Sequence, residues 1–243
     1  MQTINDQKKP TLFVISAHSA DFVWRAGGAI ALYTRRGFRA CIVCLSYGER
    51  GESAKLWKEA GMTLERVKAV RRKEAENAAS VLGGEPVFLD AGDYPLRSSS
   101  ELLDQLVDLY RDVRPEFVLT HPLEDPYNFD HPVAARLAQE ARIIAQAHGR
   151  PGKSVIGAPP VFLFEPHQPE QCRWSPDVLL DISEVWDAKR RAFECMEAQE
   201  HLWEYYTRVG LQRGVQASRN SNRKIAYAEG YQRLFPQVTD SLQ

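Results

Sequence analysis

The chain reads as an α/β protein: a Rossmann-like, three-layer α/β/α arrangement with a mostly parallel sheet and a C-terminal extension. Three observations predict this. Short apolar runs such as Thr11-Leu-Phe-Val-Ile-Ser16 lack the alternation of a half-exposed strand, as expected of a strand buried on both faces. Segments with helical periodicity separate these runs, which favours parallel strands joined by crossover helices. At 243 residues with 44% hydrophobic and 26% charged residues, the chain can bury a full core.

Taken in order, Thr11 to Ser16 is the first strand, and a helix follows from about Asp21 to Arg36, stopped at Gly37. Arg39 to Ser46 is the second strand, and a polar loop runs from Tyr47 to about Gly61. Leu64 to Leu82 is helical, with Val67, Val70, Ala78 and Leu82 near one face and Gly83-Gly84 as the stop. Pro86 to Leu89 is a third strand. Leu102, Leu106, Leu109 and Val113 mark an amphipathic helix that ends before Pro115. Phe117 to Thr120 is the fourth strand, and a helix is predicted from about Pro132 to Ala147. Val161 to Phe164 and Val178 to Ile182 are further strands, followed by a helix from Glu184 to about Gln199. These elements define a catalytic domain over 1–200. The remainder, 201–243, is an extension rich in aromatic residues, including Trp203, Tyr205, Tyr206, Tyr227, Tyr231 and Phe235. It is expected to pack on the domain or on a neighbouring subunit.

Composition excludes several classes. Lys plus Arg is 31 and Asp plus Glu is 32, for a net charge of −1, so no basic excess points to nucleic acid. No apolar run approaches a membrane span and the polar start does not resemble a secretory signal, which makes the cytoplasm the expected location. Cys41 and Cys44 form a C-x-x-C inside the second strand. Strand side chains alternate faces, so the two thiols should point to opposite sides and read as core residues rather than a redox or zinc pair. Gly27-Gly28 is not a G-x-G-x-x-G, and there is no P-loop.

Chemistry concentrates after the first and fourth strands. Ala17-His-Ser-Ala-Asp21 follows one, and Thr120-His121 followed by Pro122-Leu-Glu-Asp-Pro-Tyr-Asn-Phe-Asp-His131 follows the other. In an open α/β sheet of the common order these strands flank the switch point, where ligands bind beyond the carboxyl ends. His18, Asp21 and His131 can therefore meet as a three-ligand metal set with open positions, an arrangement that suits catalytic zinc and activates water. Asp125 and Asp130 are candidate hydrogen-bond partners for a ligand histidine.

Ala17-His-Ser-Ala-Asp-Phe-Val-Trp-Arg-Ala-Gly-Gly28 resembles the signature of the PIG-L/LmbE-like family of zinc-dependent N-acetylglucosaminyl deacetylases, A-H-P-D-D-E followed by G-G. Arg71-x-x-Glu74 with Ala78 and Leu82-Gly83, Tyr127-Asn-Phe-Asp-His131, and Asp181-Ile-Ser183 with Lys189 resemble later motifs of the family. The likeness runs from about Thr11 to Gln199. It implies the same ligands, His18, Asp21 and His131. The position of the family's general base is Ala20, the Glu position is Phe22, and the first His of H-P-D-H is Asn128. These departures argue against amide hydrolysis and leave the metal set intact. They resemble a branch that hydrates 4-oxalomesaconate, or its enol tautomer 4-carboxy-2-hydroxymuconate, in bacterial gallate and protocatechuate degradation.

The resemblance implies Zn²⁺, with Fe²⁺, Mn²⁺ or Co²⁺ also compatible with His and carboxylate ligands. It further implies a small anionic polycarboxylate substrate and a homo-oligomer. With Ala at position 20, Glu49 becomes the candidate base, Glu52 is its competitor, and His167 is the candidate acid. Arg50, Arg71 and Arg97, with His121 and Asn128, are candidate substrate contacts, arginine because its fork pairs with carboxylates. Two alternatives stand beside hydration: an N-acyl deacetylase, and a binding module on an enzyme fold that has lost its chemistry.

Overall fold

The computed structural model describes residues 9–241. Among these residues seven strands form one sheet in the order β3-β2-β1-β4-β5-β7-β6. They are β1 (Thr11–Ser16), β2 (Arg39–Cys44), β3 (Glu85–Phe88), β4 (Phe117–Thr120), β5 (Val161–Phe164), β6 (Val178–Asp181) and β7 (Ala228–Arg233). The first five run parallel, whereas β7 pairs antiparallel with both β5 and β6.

Among the described residues the six α-helices are α1 (Asp21–Arg35), α2 (Leu64–Leu82), α3 (Ser100–Val113), α4 (Asp130–Ala145), α5 (Trp186–Glu194) and α6 (Trp203–Arg219). Alternating side chains of β1 separate two cores. Leu12 and Val14 pack with Ile30, Ala78 and Phe193 on the side of α1, α2 and α5, while Phe13 and Ile15 pack with Leu106, Tyr110 and Leu137 on the side of α3 and α4. Cys44 joins the first core and Cys41 the second, and both thiols are free, as strand alternation predicts. Sequence signals bound α2 and α3 well. Thr63 and Ser99 accept N-cap hydrogen bonds from Arg66 and Leu102, and Gly83 closes α2 at a φ of 78°.

Two expectations need correction. The helix predicted from Glu184 to Gln199 is broken: α5 ends at Glu194, and a 3₁₀ segment, Glu197–Leu202, follows. The break has a partner. Glu74 of α2 accepts from Ala198 N at 2.8 Å, and Arg71 donates to the Gln199 side chain at 2.8 Å, so the α2 ion pair holds the chain out of helical register. The stretch after 200 is more than an extension. It supplies α6 and then β7, which lies between β5 and β6, so a boundary at residue 200 runs through the sheet.

The incoming strand also accounts for Gly27-Gly28. Glu229 of β7 reaches α1, accepting from Gly28 N at 2.7 Å and Ala29 N at 2.8 Å. A Cβ on Gly28 would lie 2.8 Å from that carboxylate and 2.7 Å from Ile182. Lys189 of α5 donates to Glu229 at 2.6 Å, and Tyr231 donates to it at 2.7 Å. No helix among the described residues is long and apolar enough to cross a membrane.

Candidate metal centre

β1 and β4 are neighbours, and the segments leaving their carboxyl ends converge. His18 lies in the turn between β1 and α1, Asp21 opens α1, and His131 sits in the first turn of α4. Glu52 joins them from the loop after β2. One side-chain donor from each of the four lies within 4.8 Å of the others. His18 Nδ1 is 3.2 Å from both Asp21 Oδ2 and Glu52 Oε1, and His131 Nε2 is 3.5 Å from Asp21 Oδ1. All four residues are buried or nearly so, and the two ring nitrogens make no hydrogen bond of adequate geometry.

The far nitrogens are engaged. His18 Nε2 lies 3.1 Å from Asp130 Oδ2, and His131 Nδ1 lies 2.8 Å from Asp125 Oδ2. Each carboxylate is anchored in turn: Asp130 accepts from the backbone of Tyr94 and Leu96, and Asp125 from that of Tyr127 and Asn128. A carboxylate on the outer nitrogen fixes a histidine's tautomer and turns its free lone pair inward. Two inward ring nitrogens facing two carboxylates form a donor set that fits a divalent cation, which would displace any proton held between them.

Charge agrees with that reading. Burial disfavours the ionised form of Asp21, yet His121 and His131 outweigh it and hold the carboxyl well below its usual range. Burial likewise pushes Glu52 up, and His18 brings it below the ordinary value. His18 moves the other way. Burial opposes its protonation, but Glu52, Asp130 and Asp21 more than compensate and lift it well above 6.5. In effect the acidic pocket attracts positive charge to the place where the donors converge.

The remaining predicted residues divide. His167, just beyond β5, lines a cavity of about 190 Å³ together with Asp21, Glu52, Asn128 and His131. Its ring stacks on Tyr205 with centroids 4.1 Å apart, and burial lowers its pKa. Asn128 donates to Glu52 at 3.3 Å. His121 does not line that cavity. It is fully buried and stacks on His131 at 4.1 Å, and its Nε2 accepts from Ala17 N at 3.0 Å. The same nitrogen lies 3.2 Å from Asp21 Oδ2, and burial drives the pKa of His121 down to about 3. It packs behind the His131 ring and away from the cavity.

Glu49 is not at the centre. Its carboxylate accepts from Tyr47 N at 3.1 Å and lines a separate cleft with Arg50, Lys68 and Asp93. The chain turns at Gly48, whose φ of 69° suits glycine, and only Glu52 folds back over His18. Arg50 accompanies Glu49 on that other side, 3.3 Å from its carboxylate. Arg71 is fully buried, donating to Glu74 at 2.6 Å, to Gln199 and to the Tyr47 carbonyl, so it holds the scaffold. Arg97 is exposed and lines neither cleft.

Sequence reasoning missed Arg25, Gln168, Gln199 and Tyr206, all of which line the metal-side cavity. For Arg25 a signal existed: it lies one helical turn beyond Asp21, on the same face of α1. Ala20, at the position of the family's general base, belongs to the apolar core beneath α1.

Residues 13–142 match the PIG-L family, described as GlcNAc-PI de-N-acetylase, and the chain belongs to that family. Within it, the chain is 61% identical to the 4-oxalmesaconate hydratase of Pseudomonas putida KT2440, a match that covers 99% of this chain and 95% of that protein. The crystal structure of GalB, the 4-carboxy-2-hydroxymuconate hydratase of Pseudomonas putida KT2440, superposes with a TM-score of 0.94 at 62% identity. That match covers 96% of this chain and all of the other. A diacetylchitobiose deacetylase of Thermococcus kodakarensis is 28% identical, over 94% of this chain and 86% of its own.

Proposed function

We propose that the chain is a metal-dependent hydro-lyase that adds water across a C=C bond of 4-oxalomesaconate or its enol tautomer, 4-carboxy-2-hydroxymuconate. Near-full-length identity of 61% to a hydratase carries the substrate assignment. The donor set of His18, Asp21 and His131, with Ala at position 20, supports the reaction type.

Zn²⁺ is the proposed ion, and Fe²⁺, Mn²⁺ and Co²⁺ suit the same donors. Bound there, a divalent ion supplies Lewis acidity and lowers the pKa of water within its reach. His18 and His131 would hold it through the nitrogens turned inward by Asp130 and Asp125, and Asp21 would lend a carboxylate. Glu52, ionised and lining the cavity, accepts the proton from the attacking water as its oxygen bonds to one alkene carbon. His167, on the same cavity wall, delivers a proton to the adjacent carbon, so one H and one OH are added in total. Its lowered pKa leaves it neutral in the free protein at neutral pH; a polyanion bound beside it raises its proton affinity.

The deciding assay offers the metal-loaded protein 4-carboxy-2-hydroxymuconate and, separately, an N-acetylglucosamine conjugate. The expected outcome is loss of the conjugated-diene absorbance with the first and no acetate release from the second. Acetate release with no hydration would replace this reading with N-acyl deacetylation.

A further inference from the structure

Resting on the hydratase reading, we infer that Arg25 is the specificity-determining anchor for a substrate carboxylate, in place of the arginines at 50, 71 and 97. Among the described residues that line the metal-side cavity, Arg25 is the sole Lys or Arg. Its side chain is almost wholly buried, at 5% exposure, an unusual place for a guanidinium without a full complement of acceptors.

Its position is fixed on two sides. Nη1 donates to the Glu165 carbonyl, beyond the end of β5, at 2.8 Å. Nε lies 3.5 Å from Asp21 Oδ1, too far for a good hydrogen bond, and has no other partner. A guanidinium carries five donors, and the structure accounts for few of Arg25's. A pre-positioned guanidinium with open donors, set in a cavity beside the metal ligands, is suited to a carboxylate. The charge-assisted pair that results is strong where water is excluded.

Charge balance argues the same way. Asp21, Glu52 and Asp125 bring three carboxylates to the cavity wall. A divalent ion alone would leave that wall net negative and hostile to a polycarboxylate; Arg25 restores neutrality. Gln168, Gln199 and Asn128 add uncharged amides to the wall, so a second carboxylate can be solvated there without a second cation.

The test uses metal-loaded protein and two probes, tricarballylate and glutarate, with binding followed by calorimetry and metal content measured in every sample. The parent is expected to favour the tricarboxylate. Arg25→Met is expected to weaken tricarballylate about 10- to 100-fold at unchanged metal content, as for loss of a hydrogen bond to a charged group. In the hydration assay the same variant should raise KM more than it lowers kcat. Arg25→Lys, which keeps the charge but not the fork, should fall between the two, and it carries the test if the Met variant does not fold. Unchanged tricarballylate affinity in these variants would overturn the inference. So would loss of metal alongside affinity, because Arg25 would then act through Asp21. Failure of the hydratase reading looks different: tricarballylate binding still depends on Arg25, while 4-carboxy-2-hydroxymuconate is not consumed.

Discussion

Glu52 reaches the cluster because the chain doubles back at Gly48. Glu52 N donates to the Gly48 carbonyl at 3.2 Å and Ser53 Oγ to the same carbonyl at 2.7 Å. Glu49, three residues earlier, is directed away by the same turn. Glu52→Gln should therefore lower kcat on the order of 10²- to 10⁴-fold, as for loss of a general base, with metal content retained. Glu49→Gln should leave kcat within a few-fold of the parent. Steady-state rates paired with metal analysis check both, and a larger loss in the Glu49 variant would return the role to that residue. The sequence marks both carboxylates in one loop after β2. It cannot rank them, because the ranking depends on a single positive-φ turn. By contrast, the convergence of His18, Asp21 and His131 was legible, since each is fixed to the end of a strand or the start of a helix. Arg71 poses a related difficulty. A buried arginine that bridges Glu74, Gln199 and a carbonyl looks, as a string of letters, like one that awaits a ligand.

At the scale of elements, β7 is the feature that the sequence conceals. Ala-Glu-Gly-Tyr-Gln-Arg has neither the apolar run of a buried strand nor a clean alternation, because its buried positions include Glu229. That residue is tolerated inside because Lys189, Tyr231 and two α1 amides complete its coordination. The parallel strands β1, β2, β4 and β5 were readable because they lie between two apolar layers. Removing one member of a buried ion pair leaves an uncompensated charge and costs about 3–5 kcal/mol. Glu229→Gln should accordingly destabilise the fold by roughly 3 kcal/mol, read from urea unfolding at constant m. Combining it with Lys189→Met should cost less than the sum of the two single changes, because the substitutions share one interaction. Simple additivity of the two, or a single-variant loss below about 1 kcal/mol, would show that the pair does not hold α5 to β7.

Over the whole molecule, the cluster comes from the carboxyl edge of the sheet: the donors His18 and Asp21 after β1 and His131 after β4, with the base Glu52 after β2. They are far apart in sequence, and only the adjacency of β1 with β2 and β4 gathers them. An unfolded chain offers no such assembled site, so an ion that binds the native set must stabilise the native state by mass action. At a free-ion concentration about 100 times Kd, the gain is about 2.7 kcal/mol. For a chain of this size that corresponds to a rise in Tm of about 5–10 °C over chelator-treated protein. Lower pH should shrink the gain. Because His18 holds its proton more tightly than an ordinary histidine, protons compete with the ion over a pH range that begins above 6.5 and extends downward. His131→Ala removes one donor while leaving the β1–β4 pairing in place, and should abolish most of the Tm response to metal. Calorimetric scans of both proteins, with chelator and with graded Zn²⁺, give the comparison. A parent whose Tm is indifferent to metal would mean that His18, Asp21 and His131 meet for some purpose other than holding an ion. An unchanged response in the variant would move the ion's site away from His131.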